Sequence, residues 1–169
     1  MSADADRRDV ASVPGDAPTP AEDALVRVGE TFGDTVLLSR DEVVDFAIRV
    51  RDRNPMHHDE AAARASRFGG LIASGPQVAS IMMGLFATHF TRRDDGVARA
   101  ALGMDFQIRF KAPVRPDEQV AIRWEVVRRE WKPRLRSWIA EGEASARSAR
   151  DGVVVEMRGV GIVMPADRI

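Results

Sequence analysis

Between Gly75 and Thr88 the chain carries no ionised side chain, while Val78, Ile81, Met82, Leu85 and Phe86, with Phe90 beyond, recur at helical spacing. A helix of about four turns with so wide an apolar face is a buried helix, and a sheet is the element that wraps it. The downstream sequence supplies that sheet. Residues 100–111, 118–131, 135–148 and 153–164 read as strands. Val120, Ile122, Trp124 and Val126 alternate with Ala121, Arg123, Glu125 and Val127, the period-two pattern of a strand with unlike faces. Asp151-Gly152 is a hairpin signal. In the last strand Val153, Val155 and Met157 give way to Val160, Ile162 and Met164, a phase slip that places a bulge at Gly159. Helices followed by long antiparallel strands specify an α+β domain with a buried helix against one face of the sheet. There is no internal repeat.

Upstream, residues 24–38 hold two short apolar runs around Gly33-Asp34, a strand or an extended lead-in. Ser39-Arg40-Asp41-Glu42 is a capping box ahead of the apolar stripe Val43, Val44, Phe46, Ala47 and Val50, so residues 40–51 read as a helix. The helix is expected to stop before Asn54-Pro55, since a residue preceding proline avoids helical angles. Asp59 is placed to cap a short helix over Glu60–Ala65. Residues 1–21, rich in Pro, Ala and Asp, bury too little apolar surface to repay ordering. They are expected to form a flexible tail, leaving 22–169 as one domain.

The bulk properties exclude several function classes. A net charge of −1 gives no global attraction to nucleic acid or to a membrane surface. No run approaches the roughly 18 apolar residues that cross a bilayer, and the N-terminus lacks the apolar segment of a signal peptide. The chain has no cysteine, which removes thiolate metal sites and a Cys nucleophile and is compatible with the cytoplasm, the expected location.

Asp52-Arg53-Asn54-Pro55-Met56-His57 sets a carboxylate and an imidazole on either side of an Asn-Pro turn. Such a turn aims an acid/base pair at one small volume. Phe68-Gly69-Gly70-Leu71-Ile72-Ala73-Ser74-Gly75-Pro76 then leads into the apolar helix, whose first N–H groups are unpaired and carry a partial positive charge. A base, an acid and a donor to a polarised oxygen are the minimum equipment for adding water to, or removing it from, an activated acyl group. Plainer readings stand beside this one. An Asp before Asn-Pro also caps turns. His58 reads as a surface residue, Asp59 as a helix cap, and His89, at the helix end, as a cap or surface group. His57, His58 and Asp59 are too close in sequence to converge on one ion, so no metal site is expected. Gly69-Gly70 lacks the spacing of a phosphate loop. Met82, Met83, Leu85 and Phe86 read as core first and as walls of an acyl tunnel second. Among Arg92, Arg93, Arg109, Lys111, Arg115, Arg128, Arg129, Lys132, Arg134 and Arg136, most form a solvated face. The stretch Arg128 to Arg136 is the better candidate for a hairpin tip near a nucleotide.

The blocks Asp52-x-Asn54-Pro55-x-His57-x-Asp59 and Ala65-Ser66-x-Phe68-Gly69-Gly70-Leu71-Ile72-Ala73-Ser74-Gly75, with Phe110-Lys111-Ala112-Pro113-Val114-Arg115-Pro116-Asp117 further on, resemble the MaoC-like dehydratases and (R)-specific enoyl-CoA hydratases. The resemblance spans roughly residues 30–165. It implies a hotdog fold, a curved antiparallel sheet wrapped around a long central helix. It also implies hydration or dehydration of an acyl thioester carried by coenzyme A or acyl carrier protein. Asp52 and His57 match the family's catalytic pair, and the Gly75 N–H matches the donor to the thioester carbonyl. Asn54, Ser74, Met83 and Arg134 are the further candidates for substrate contact. The family also implies a homodimer or higher even oligomer with the site at the interface, and chemistry without metal, nicotinamide or flavin. Better-known members carry His where this chain has Ser74, and Ser where Met83 aligns. Two rivals remain: a hotdog acyl-CoA thioesterase, against which the Asp-x-x-x-x-His spacing speaks, and a non-catalytic acyl-thioester-binding subunit of a hetero-oligomer.

Overall fold

The computed structural model describes residues 17–92 and 94–169. Most of the expected tail (residues 1–16) and Arg93 lie outside the described residues. The first element is α1 (Pro20–Asp23), capped reciprocally by Thr19 and Glu22. Glu22 is buried, bound by Arg136 Nε at 2.7 Å, and its carbonyl accepts from the Trp138 indole at 2.7 Å. That first turn is thereby stitched to strands more than a hundred residues later.

The strands read from the sequence are present. They are β1 (Thr31–Leu38), β2 (Arg99–Phe110), β3 (Glu118–Lys132), β4 (Ser137–Ser148) and β5 (Gly152–Pro165). All pairings are antiparallel, in the order β1-β3-β4-β5-β2. The helices are α2 (Arg40–Arg49), with the Ser39–Glu42 capping box, α3 (Glu60–Ala65), capped by Asp59, and α4 (Gly75–Thr91). Among the described residues no helix is long and apolar enough to cross a membrane.

The sheet packs on α4, whose Val78, Met82, Phe86 and Phe90 are buried in one core with Trp124, Ala144, Met157 and Val163. Trp124 lies flush with the helix: its indole N–H donates to the Met82 carbonyl at 2.9 Å, and its ring centroid is 5.2 Å from that of Phe86. A buried indole needs such a partner, and a helical carbonyl supplies it without breaking the core.

One expectation is corrected. The phase slip of β5 does not lie at Gly159. Gly142 pairs with Gly159 in continuous register, and the extra residue is Val154, between the pairs Arg147–Val153 and Ala146–Val155. Val154 and Val155 are both buried, the sign of an alternation that slips there. Gly159 and Gly161 continue the inward phase. They are glycines because aromatic rings fill the space: a Cβ on Gly159 would lie 2.8 Å from Phe106, and one on Gly161 2.7 Å from Phe86. The apolar Val160 and Ile162 therefore face outward.

That packing makes a stability prediction. Gly161→Ala drives a methyl into Phe86 and to 3.1 Å from the Leu102 carbonyl. It is expected to destabilise by about 1–3 kcal/mol, seen as a lower denaturant midpoint with an unchanged slope.

Candidate active site

Asp52 is delivered by the way α2 ends. The helix closes at Arg49, before the expected 51, and proline is not what stops it. Arg51 adopts φ 61°, its N–H donates to the Ile48 carbonyl at 3.1 Å, and the Asp52 N–H donates to the Ala47 carbonyl at 2.8 Å. This double bond pattern normally has glycine at the left-handed position. An arginine held there costs about 1 kcal/mol, and the chain reverses so that Asp52 faces inward.

A 3-10 turn, Pro55–His57, follows. Asn54 caps it, accepting the Met56 N–H at 3.2 Å. The turn buries His57 to 7% exposure, and Nδ1 meets the Ile72 carbonyl at 2.8 Å. A carbonyl only accepts, so Nδ1 carries the proton and Nε2 presents its lone pair. Ile72 is held in turn by its N–H to the Met56 carbonyl at 3.1 Å, and Ala73 by its N–H to Val114 at 2.7 Å. Nε2 lies 3.6 Å from Asp52 Oδ2, too far for a direct hydrogen bond. An oxygen set about 2.8 Å from both fits beside that line.

The third group is the start of α4. Its donors are reduced by its own sequence. Pro76 has no N–H, and the Gln77 N–H is taken by the Ser74 carbonyl at 2.9 Å. Gly75 is left with an N–H that meets no acceptor among the described residues. A Cβ there would lie 2.7 Å from the Phe110 ring, so a side chain at this position would displace that wall. Gly75, Ser74 and His57 border a cavity of about 360 Å³ with apolar walls from Phe68, Val78, Phe110, Val114 and Val155. Arg67 and Lys111 stand at the same cavity. The Val154 bulge carbonyl accepts from the Lys111 and Ala112 N–H groups at 2.9 and 3.3 Å, tying that wall to the sheet. Asp52 does not line that cavity; it opens on a neighbouring hollow of about 510 Å³ lined by Val44, Ile48, Arg51, Arg53 and His58.

The surroundings keep Asp52 ionised. Its carboxyl is held below the ordinary carboxylate value, first by the Asn54 N–H, then by His57, the Ser74 hydroxyl and His58, against the opposing effect of burial. Oδ1 accepts from Asn54 at 3.0 Å and Oδ2 from Ser74 at 3.2 Å.

Asp52, Asn54, His57, Ser74 and Gly75 are therefore brought together from two stretches of backbone, 52–57 and 74–75. Two expected residues are not. Met83 lies two turns along α4, about 12 Å by helical rise, packed against the core and away from the cavity lining. Arg134 sits on the 3-10 turn Pro133–Leu135, at the far end of the sheet. The cavity end is marked by the row Phe110–Val155–Ala146, and the Trp138 row lies about 26 Å along β4 from it. The cations of that tip serve the fold: Arg136 binds Glu22, and Arg129 donates to the Asp23 and Val26 carbonyls. His89 is neither a cap nor a surface group, since it pairs with Glu30 and stacks on Phe32 with ring centroids 3.8 Å apart. The Ile72 carbonyl and the Phe110 wall were given no role from the sequence, where both residues appear only within the family blocks. The first is a backbone atom with no side-chain signal, and the second reads as an ordinary strand residue.

The chain matches a known family. The model of the MaoC like domain matches residues 23–146. The chain belongs to the MaoC-like domain family. Among similar proteins, the uncharacterized protein YdeM of Bacillus subtilis (strain 168) is 32% identical over 106 residues, covering 62% of this chain and 72% of YdeM. The (R)-hydratase from A. caviae involved in PHA biosynthesis superposes with a TM-score of 0.68 at 25% identity, over 83% of this chain and 97% of that one. The MaoC-like dehydratase from Rhodospirillum rubrum does so with a TM-score of 0.68 at 26% identity, over 83% and 94%. The five-stranded sheet around α4 is the hotdog fold of these MaoC-like proteins.

A lowered folded-state value means that ionised Asp52 stabilises the protein above its unfolded value, about pH 3.9, and that this contribution is lost as pH falls through the folded value. Asp52→Asn is therefore expected to lower the unfolding temperature at neutral pH, with the gap to the parent closing on acidification below about pH 4. A gap that stays constant with pH contradicts it.

Proposed function

We propose that this MaoC-like protein adds water to, or removes it from, the α,β double bond of an acyl thioester, carried by coenzyme A or acyl carrier protein. The observation that carries the reading is the convergence of Asp52 Oδ2 and His57 Nε2, 3.6 Å apart, beside the cavity where the Gly75 N–H is the free donor. In hydration, one water donates its two hydrogens toward Asp52 and His57. Its oxygen bonds to the β-carbon while Nε2 takes a proton, and the imidazolium returns a proton to the α-carbon. Charge collects meanwhile on the thioester oxygen, where the Gly75 N–H and the positive end of α4 meet it. Elimination is the same path reversed. The thioester acidifies the α-proton, and the apolar cavity takes the acyl chain.

The resemblance to an (R)-hydratase and a MaoC-like dehydratase supports this reaction class. The proposed assembly is a homodimer. β2 is an edge strand of twelve residues with Leu102 and Met104 more than half exposed, a long unpaired edge of the kind that folded proteins cover. Sedimentation is expected to give twice the 18.6 kDa chain, and a monomer at micromolar concentration refutes this arrangement.

Asp52→Asn and His57→Ala are each expected to lower kcat/KM for crotonyl-CoA hydration by about 10²- to 10⁴-fold with the circular dichroism spectrum retained. Both variants matching the parent would sink the assignment. Thiol release without a change in enoyl absorbance points to the thioesterase instead. Binding without turnover across short, branched and long substrates points to the acyl-binding subunit.

A further inference from the structure

Ser74 stands at the N-cap of α4, yet its hydroxyl caps nothing. A serine at that position ordinarily accepts an N–H from the first turn. Here the second helical residue is Pro76, without an N–H, and the Gln77 N–H is bound by the Ser74 carbonyl instead. The released hydroxyl donates to Asp52 Oδ2 at 3.2 Å, across 22 residues of chain. Oδ2 is the oxygen that faces His57. With Oδ1 bound by the Asn54 N–H, the carboxylate is held at both oxygens. Ser74 borders the cavity but is only 1% exposed, and its hydroxyl is engaged by Asp52.

We propose that Ser74 is a positioning residue: its hydroxyl fixes the rotation of the Asp52 carboxylate. This rests on Asp52 and His57 being the acid/base pair. It also revises the expectation that Ser74 contacts substrate. The torsion that turns a carboxylate is broad and two-fold, so a carboxylate held at Oδ1 alone swings. A water that needs Oδ2 and Nε2 at the same time is then in place for only part of the time. Such a loss falls on turnover and leaves ground-state binding nearly untouched. The charged groups around Asp52 are His57 and His58, with Arg51 and Arg53 lining the neighbouring hollow. None of them replaces the hydroxyl at Oδ2. Without that donor the carboxyl titrates at a higher pH, so the acid limb of the pH–rate profile moves up.

The experiment uses the full chain and the best substrate of an enoyl-CoA panel. Ser74→Ala is expected to lower kcat about ten- to a hundredfold, the worth of one hydrogen bond to a charged group, with KM within about twofold. Its acid limb shifts to higher pH. Ser74→Thr, which keeps the hydroxyl, recovers most of the turnover. In an Asp52→Asn background, Ser74→Ala costs nothing further. Thermal unfolding is followed for every variant, and if Ser74→Ala is unfolded at the assay temperature, Ser74→Cys replaces it with the same kcat loss required. The proposal is overturned if the hydroxyl-deleted variant turns over like the parent, or loses KM instead of kcat, while Asp52→Asn is inactive. If Asp52→Asn is itself fully active, the acid/base assignment falls first and takes the role of Ser74 with it.

Discussion

An apolar helix face has to be kept from water, and the rest of this molecule follows from how that face of α4 is covered. Val78, Met82, Phe86 and Phe90 supply an apolar stripe, and the sheet covers it. The enclosure is tight enough to dictate glycine on the sheet. Phe86, Phe106 and Trp124 occupy the volume that side chains at Gly159 and Gly161 would need. Close packing of this kind transmits small changes, because there is little free space to absorb them. It also holds the start of α4 at one end of the sheet, next to the loop that carries Asp52 and His57.

The site is built mainly from helix ends and turns. A helix terminus with a left-handed Arg51 presents Asp52. A 3-10 turn capped by Asn54 presents His57. The first turn of α4 presents an N–H. Each device leaves few torsions free, which suits groups that, on the proposed reaction, meet one water and one carbonyl oxygen within a few tenths of an ångström. The site is sharpened by subtraction as well. Pro76 and the bonded Gln77 N–H remove the competing donors, so the positive end of the helix is concentrated on Gly75. The backbone carbonyl of Ile72 does for His57 what an acidic partner does elsewhere: it settles which nitrogen holds the proton.

Charge shows where a linear reading stops. Arg128, Arg129, Lys132, Arg134 and Arg136 form the densest cationic stretch of the chain and look like a phosphate contact. In the folded protein, Arg129 and Arg136 fasten α1 to the hairpin, and Arg128 pairs with Glu141 at 2.8 Å. The acids that claim them are about 106 to 114 residues away along the chain for Asp23 and Glu22, a separation that no local pattern encodes. Such partly exposed pairs contribute little each, but they decide which face of the protein remains cationic.

Periodicity, capping boxes and turn residues act over a few positions. They were therefore legible: the buried helix, the four later strands, the Ser39 and Asp59 caps, and the Asp52–His57 turn all follow from neighbours in sequence. Tertiary structure decided what depends on distant atoms. It put the β5 bulge at Val154, because the rings of Phe86 and Phe106 set the inward phase beyond it. It moved Arg134 and Met83 away from the cavity and turned the Ser74 hydroxyl from its own helix onto Asp52. The sequence by itself determined which groups are available and how each is locally held. Only the enclosed helix decided which of them meet, because a meeting is set by the packing of residues far apart in the chain.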